Sequence, residues 1–228
     1  MNQIVSEQLA ALRRRINRAC LDSGRSPESV QLLAVSKKQP TDAIQAAAAQ
    51  GQCRFGENYA DEGVTKITRL GDPRLEWHFI GPVQSNKTRL IAEHFDWVQS
   101  VDRAKIVRRL NAQRPEHCHP LQVLIQVNLD DEPQKAGCAP EHIPALAAEI
   151  TTGPRLRLRG LMAIPAPRND PASQHEAFAR LRALYEGLKR EQPDIDTLSA
   201  GMSSDLEAAI AAGATMVRVG TALFGSRD

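Results

Sequence analysis

No stretch of this chain is long and apolar enough to span a bilayer, no two cysteines stand at CxxC spacing, and no Pro/Ser/Gly-rich linker or block of like charge interrupts it. Each absence excludes a class of protein. Glu7 and the run Arg13 to Arg15 break up the amino terminus, so neither a secretory signal nor a membrane span is expected there. The four cysteines, Cys20, Cys53, Cys118 and Cys138, are too sparse for a disulfide scaffold and suit a reducing compartment, so the predicted location is cytoplasmic. His117, Cys118 and His119 crowd together, but they fall between a helical pattern and the start of a strand, where a loop is expected and no metal site. Lys and Arg total 29 against 27 Asp and Glu, a formal charge of +2, without the concentrated basic field that nucleic acid requires. With no linker to divide it, a chain of 228 residues that is 42% hydrophobic is expected to form a single domain spanning 1–228.

What is present is alternation. Leu9, Leu12, Ile16 and Cys20 recur at helical spacing before Gly24 and Pro27, which predicts a leading helix over the first 22 residues. After it, short apolar runs predict eight strands near 31–36, 53–56, 76–80, 96–100, 121–128, 156–162, 196–201 and 215–219. Helical patterns lie between them, such as Thr41 to Gln50 before Gly51, Asn58 to Leu70 before Gly71, and Ser203 to Ala212 before Gly213. In RLRLR at 155–159, arginine alternates with leucine as on the outer or entry face of a strand. Eight strand–helix units in a chain of this length predict an α/β fold, a (β/α)8 TIM barrel with an extra amino-terminal helix. A doubly wound open sheet is the alternative. It calls for a glycine-rich turn after the first strand, and SKKQP at 36–40 contains no glycine.

Lys37 closes the first apolar run, LLAVSK, so its amine is predicted at the carboxyl end of a buried strand. An ordinary lysine, with pKa near 10.4, is neutral in roughly one molecule in a few thousand at pH 7. A partly desolvated strand-end lysine can do better and attack a carbonyl. The plainer reading is that Lys37 only begins a solvated loop beside Lys38. In a barrel, however, Lys37, Asn58, His78, Asn128, Met162, Ser203 and Arg218 all fall at strand carboxyl ends and share one rim. Side-chain alternation puts Arg218 inward with Met216, opposite Val217 and Val219. There the guanidinium needs an anion, from a ligand or from a glutamate such as Glu57. AGMSSDLEAA at 200–209 and VRVGTALFG at 217–225 both place small or hydroxyl residues where a helix begins, and Gly220 permits close backbone approach. Ser204 and Glu207 also fit a capping box, which would explain one serine without a ligand. Ser203, Arg218, Gly220 and Thr221 together suggest a phosphate cradle beside a carbonyl-seeking amine.

LLAVSK, FGENYADEG at 55–63, EWHFIGPVQSNK at 76–87, GLMAIPA at 160–166, LSAGMSSD at 198–205 and VRVGTALFG at 217–225 closely resemble the YggS/PROSC family of pyridoxal 5′-phosphate homeostasis proteins. The resemblance covers nearly the whole chain. It implies a monomeric barrel like the amino-terminal domain of alanine racemase, of the pyridoxal-phosphate fold type III, with the cofactor held as a Schiff base on Lys37. It further implies that Ser203, Arg218, Gly220 and Thr221 hold the phosphate while Asn58, His78 and Met162 line the ring pocket. The implied role is to bind, store and hand over pyridoxal 5′-phosphate to apo-enzymes, without nucleic acid or membrane as a partner. A small racemase on the same cofactor is the alternative. That chemistry wants a tyrosine opposite the lysine, which alanine racemases take from a partner subunit's second domain. The chain stops at Asp228 after its eighth unit and carries only Tyr59 and Tyr185. The expectation is therefore a carrier without that domain, with Tyr59 the residue to watch.

Overall fold

The computed structural model describes residues 2–130, 136–168 and 170–225. A long helix, α1 (Asn2–Asp22), precedes eight strand–helix units. These run β1 (Gln31–Val35), α2 (Thr41–Ala49), β2 (Arg54–Glu57), α3 (Ala60–Leu70), β3 (Glu76–Phe79), α4 (Thr88–His94), β4 (Trp97–Val101) and α5 (Ala104–Gln113). They continue with β5 (Leu121–Val127), α6 (Ile143–Thr151), β6 (Leu156–Ala163), α7 (Pro171–Glu191), β7 (Thr197–Ser199), α8 (Leu206–Ala211), β8 (Met216–Val219) and α9 (Thr221–Phe224). The strands close into a parallel barrel in sequence order, with β1 joined to β8 through pairs such as Leu33 with Arg218. All eight predicted strands are found, and the barrel, not the open sheet, is the fold.

The main core lies between barrel and helices. There the outward residues Phe55, Val98, Leu161 and Val217 meet Ile44, Ile91, Ile106 and Leu181 from the helices, all fully buried. Burial of each such side chain stabilises by about 1.5–3 kcal/mol. The helical stripe read from the sequence is the buried face of α1: Leu9, Leu12, Ile16 and Cys20 are inaccessible, and the helix lies beside α2, α8 and α9 across the β1–β8 seam. A separate small cluster of Trp97, Leu124 and Met162 belongs to the inward face of the strands.

β6 carries an irregularity that simple alternation misses. Val123 of β5 pairs with Leu158, but the next residue, Leu124, pairs with Gly160, so Arg159 is an extra residue in β6. Such a bulge reverses which parity points inward. Below it Arg157 and Arg159 face the amino-terminal mouth of the barrel; above it Met162 faces the interior. Gly160 adopts φ +140, and a Cβ there would lie 2.0 Å from the Thr197 carbonyl oxygen, so no other residue fits without displacing β7.

Candidate functional site

Lys37 stands two residues beyond β1, on the parity of Leu33 and Val35, and lines a cleft at the carboxyl ends of the strands. The peptides on either side of it are held from outside the barrel. The buried Lys66 ammonium on α3 donates to the Ser36 carbonyl (2.7 Å), to Glu57 Oε1 (2.8 Å) and to Glu62 Oε1 (2.6 Å). Ser36 Oγ donates to Glu57 Oε1 at 2.6 Å, and the Lys38 N–H donates to Glu62 at 2.5 Å. Lys38 sits in the left-handed region at φ 59, a conformation that costs a non-glycine residue about 1–2 kcal/mol. Burial pushes the Glu57 carboxyl pKa up, against the pull of Lys66 and Ser36. Glu57 is thus committed to Lys66 and is not the partner of Arg218.

The opposite side of the cleft is built from the loops after β7 and β8. The N–H groups of Ser203, Ser204, Gly220 and Thr221 meet no protein acceptor among the described residues, so they are available to an anion. Two expectations need correction here. The helix predicted from Ser203 starts only at Leu206, and no side chain caps it. Glu207 is drawn away by a bidentate pairing with Arg15 of α1, while Arg15 Nη1 also donates to the Ser203 carbonyl at 2.9 Å. The Ser204–Glu207 capping box does not form. In its place the Met202 N–H donates to Asp205 Oδ1 at 2.6 Å. α8 and α9 hold only 6 and 4 residues, so the loop amides, not helix dipoles, are what an anion meets.

Arg218 forms the floor between these two sides. It is buried, with Nη1 donating to Ser199 Oγ at 2.7 Å and Nη2 to the Ala163 carbonyl at 2.9 Å. Burial lowers its pKa to about 10, against the charge of Asp205, so the guanidinium stays cationic at neutral pH. Among the described residues it makes no ion pair. Asn58 completes the rim, and its buried Oδ1 meets no partner among them. Gly81 presses on the Asn58 backbone so closely that a Cβ would lie 2.1 Å from the Asn58 carbonyl oxygen.

The cleft, of about 450 Å³, is lined by Val35, Lys37, Asn58, Ile80, Ile164, Met202, Ser203, Ser204, Arg218, Gly220 and Thr221. Six of the eight residues read from the sequence are therefore together: Lys37, Asn58, Ser203, Arg218, Gly220 and Thr221. His78 and Met162 are corrected. β3 runs on to Phe79 and β6 to Ala163, so the rim positions fall to Ile80 and Ile164, while His78 and Met162, each fully buried, lie one layer deeper inside the barrel. Ile80 shares the parity of His78, and the predicted strand, 76–80, already ended on it, so taking the last residue of that strand as the rim position would have found it. Tyr59 is 52% exposed and outside the cleft, and Tyr185 is on the buried face of α7 with its hydroxyl donating to the Ile195 carbonyl.

A second cavity of about 490 Å³ opens at the amino-terminal mouth. It is lined by four arginines, but three of their guanidinium groups are engaged: Arg74 with Asp72, Arg159 with Asp196 and Gln122, and Arg114 with three backbone carbonyls. It holds no lysine.

A family model described as alanine racemase, N-terminal domain, matches residues 8–228. The pyridoxal phosphate homeostasis protein of Escherichia coli strain K12 is 55% identical over 231 residues, an alignment spanning 100% of this chain and 98% of that relative. The structure of PipY from Synechococcus elongatus with PLP bound is 39% identical and superposes with a TM-score of 0.84, covering 97% of this chain and 100% of PipY. An alanine racemase from E. faecalis is 18% identical with a TM-score of 0.74, and the match takes in 99% of this chain and 58% of that one. At such identity the likeness speaks for the fold alone.

Proposed function

This chain belongs to the alanine racemase N-terminal domain family and, within it, to the pyridoxal phosphate homeostasis proteins, and from that membership we propose that it binds pyridoxal 5′-phosphate in the cleft, holds it on Lys37 and supplies it to apo-enzymes. One convergence supports the reading most: an inward lysine, a buried cation and a set of N–H groups without an acceptor among the described residues face a single cleft of about 450 Å³. Pockets for small ligands commonly span about 300–1,000 Å³. The residues present suit the cofactor. Ser203, Gly220 and Thr221, with the Arg218 charge beneath them, take the phosphate; Asn58 offers its orphaned oxygen; Ile80 and Ile164 give the ring apolar walls. When bound, pyridoxal phosphate supplies an aldehyde that condenses with a neutral amine and releases water. Lys37 is that amine, and the Lys66–Glu57–Glu62 cluster fixes the backbone that carries it.

The carrier role rests on what faces Lys37. Racemisation with this cofactor needs an acid/base group on each side of the reacting carbon. Among the described residues lining the cleft, no Asp, Glu, His, Cys or Tyr joins Lys37. We read the protein as a one-domain monomer of the cytoplasm that stores cofactor without turning over amino acids. The four cysteines remain thiols in this fold, in keeping with that compartment. Borohydride reduction of the purified holo-protein followed by peptide mapping tests the site. A pyridoxyl group on Lys37 is expected, and one found only on Lys38 would overturn the assignment.

A further inference from the structure

Five buried or half-buried polar side chains form one hydrogen-bonded line through the barrel interior, from the amino-terminal mouth to the cleft. Glu76 at the start of β3 accepts from Arg54 Nε (3.0 Å) and His78 Nε2 (2.8 Å). His78 Nδ1 meets Gln99 Nε2 at 3.0 Å, Gln99 Oε1 meets Ser199 Oγ at 2.7 Å, and Ser199 Oγ meets Arg218 Nη1 at 2.7 Å. The line passes from β3 and β4 across the barrel to β7 and β8.

Its direction follows from the chemistry of its ends. A carboxylate only accepts, so the His78 proton sits on Nε2 and Nδ1 is an acceptor. Burial keeps that ring neutral against the pull of Glu76. Gln99 must then turn its amide N–H to His78 and its oxygen to Ser199, and the Ser199 hydroxyl proton goes to Gln99. Its lone pairs are left for Arg218, a group with five donors and no acceptor. Stacking of His78 on Trp97, with ring centroids 5.0 Å apart, fixes the plane of the imidazole. At the far end the Ala163 carbonyl takes Nη2.

We propose that Ser199, Gln99, His78 and Glu76 are positioning residues for Arg218: they fix one hydrogen-bond direction through the barrel and thereby hold the guanidinium aimed into the cofactor cleft. This rests on the reading of the cleft as a pyridoxal phosphate site. None of the four lines the cleft, so their effect on the cofactor must pass through Arg218.

The test compares wild type with His78→Phe, which keeps the stacking but removes the acceptor, and His78→Asn, which returns an acceptor near the Nδ1 position. Pyridoxal phosphate affinity and the absorption band of the bound cofactor are measured on each, with the thermal melt of the apo form recorded separately. His78→Phe is expected to weaken binding about tenfold, the scale of one charged hydrogen bond, and to move the band; His78→Asn should recover most of both. Ser199→Ala and Ser199→Thr form a second pair that avoids the imidazole, with loss and recovery expected in turn. Because the residues act as one line, Ser199→Ala combined with His78→Phe should cost little more than either alone. Altered melts with unchanged affinity and band, or fully additive losses, overturn the relay. A wild-type protein that fails to bind pyridoxal phosphate removes the site reading itself, and is told apart because it needs no variant.

Discussion

Two cations decide the character of the site, and they are held in opposite ways. Arg218 is buried with hydroxyl and carbonyl partners but no carboxylate among the described residues, so its charge is left for a ligand. Charge-assisted hydrogen bonds are worth about 1.5–3 kcal/mol each. Arg218→Gln is therefore expected to weaken pyridoxal phosphate binding by about 10- to 100-fold while affecting unphosphorylated pyridoxal less, in paired titrations followed by absorbance. Equal losses for the two ligands would remove its phosphate role. Lys66, by contrast, is enclosed by Glu57 and Glu62. Removing one partner of a buried pair typically costs about 3–5 kcal/mol, and Lys66→Met should show that loss in urea denaturation. It should also change the pH dependence. The Glu57 pKa already lies above the ordinary 4.5 because of burial, with Lys66 pulling it down; without Lys66 it rises further. A folded-state pKa above the unfolded one means that the folded form holds the proton more tightly. Stability is then full below the ordinary value and falls as pH climbs towards the folded one. Lys66→Met should thus lose more stability at about pH 8 than at about pH 5 relative to wild type, and a pH-independent difference would reject this account of Glu57.

Among the elements, β6 and α1 set the site from a distance. The bulge at Arg159 gives β6 one inward parity for the amino-terminal mouth and another for the interior above it. Gly160 makes the bulge possible, at φ +140 and in van der Waals contact with β7. Gly160→Ala forces a Cβ against the Thr197 carbonyl, so we expect a loss of about 3 kcal/mol or more by chemical denaturation. A loss under about 1 kcal/mol would mean that β7 yields easily. The role of α1 is less direct. Its apolar stripe seals the β1–β8 seam, and from its exposed face Arg15 reaches the Ser203 carbonyl and takes Glu207 out of the capping role. The partly exposed ion pair itself contributes little stability. What it changes is the loop, which begins its helix three residues late and leaves Ser203 and Ser204 facing the cleft.

At the scale of the whole molecule, the barrel presents a lysine at one rim and no second acid/base group opposite it among the described residues. On the carrier role proposed above, the protein should exchange cofactor without working on amino acids. Holo-protein is expected to activate a pyridoxal-phosphate-requiring apo-enzyme, and its own exchange of amino-acid α-hydrogens in deuterated water should stay below about 1 s⁻¹, the lower end of ordinary enzyme rates. Exchange at or above that rate with any common amino acid would make it an enzyme.

The strands, the leading helix and the inward course of Arg218 were legible in the sequence by itself, because period-two and period-3.6 patterns report which face of an element is buried. Those patterns say nothing about height along the barrel axis. His78 and Ile80 share one parity, as do Met162 and Ile164, and only the pairing of neighbouring strands decided that the isoleucines reach the rim while His78 and Met162 lie a layer beneath. Partners distant in the chain were equally hidden. Glu57 could have neutralised Arg218, and it belongs to Lys66 because alternation turns it outward while α3 crosses behind it. Glu207 belongs to Arg15 because α1 folds back beside α8. The line from Glu76 to Arg218 joins residues from four strands, which become neighbours only when the sheet closes. A sequence records the face each residue prefers, whereas depth and partnership are set by how the closed barrel satisfies buried polar groups all at once.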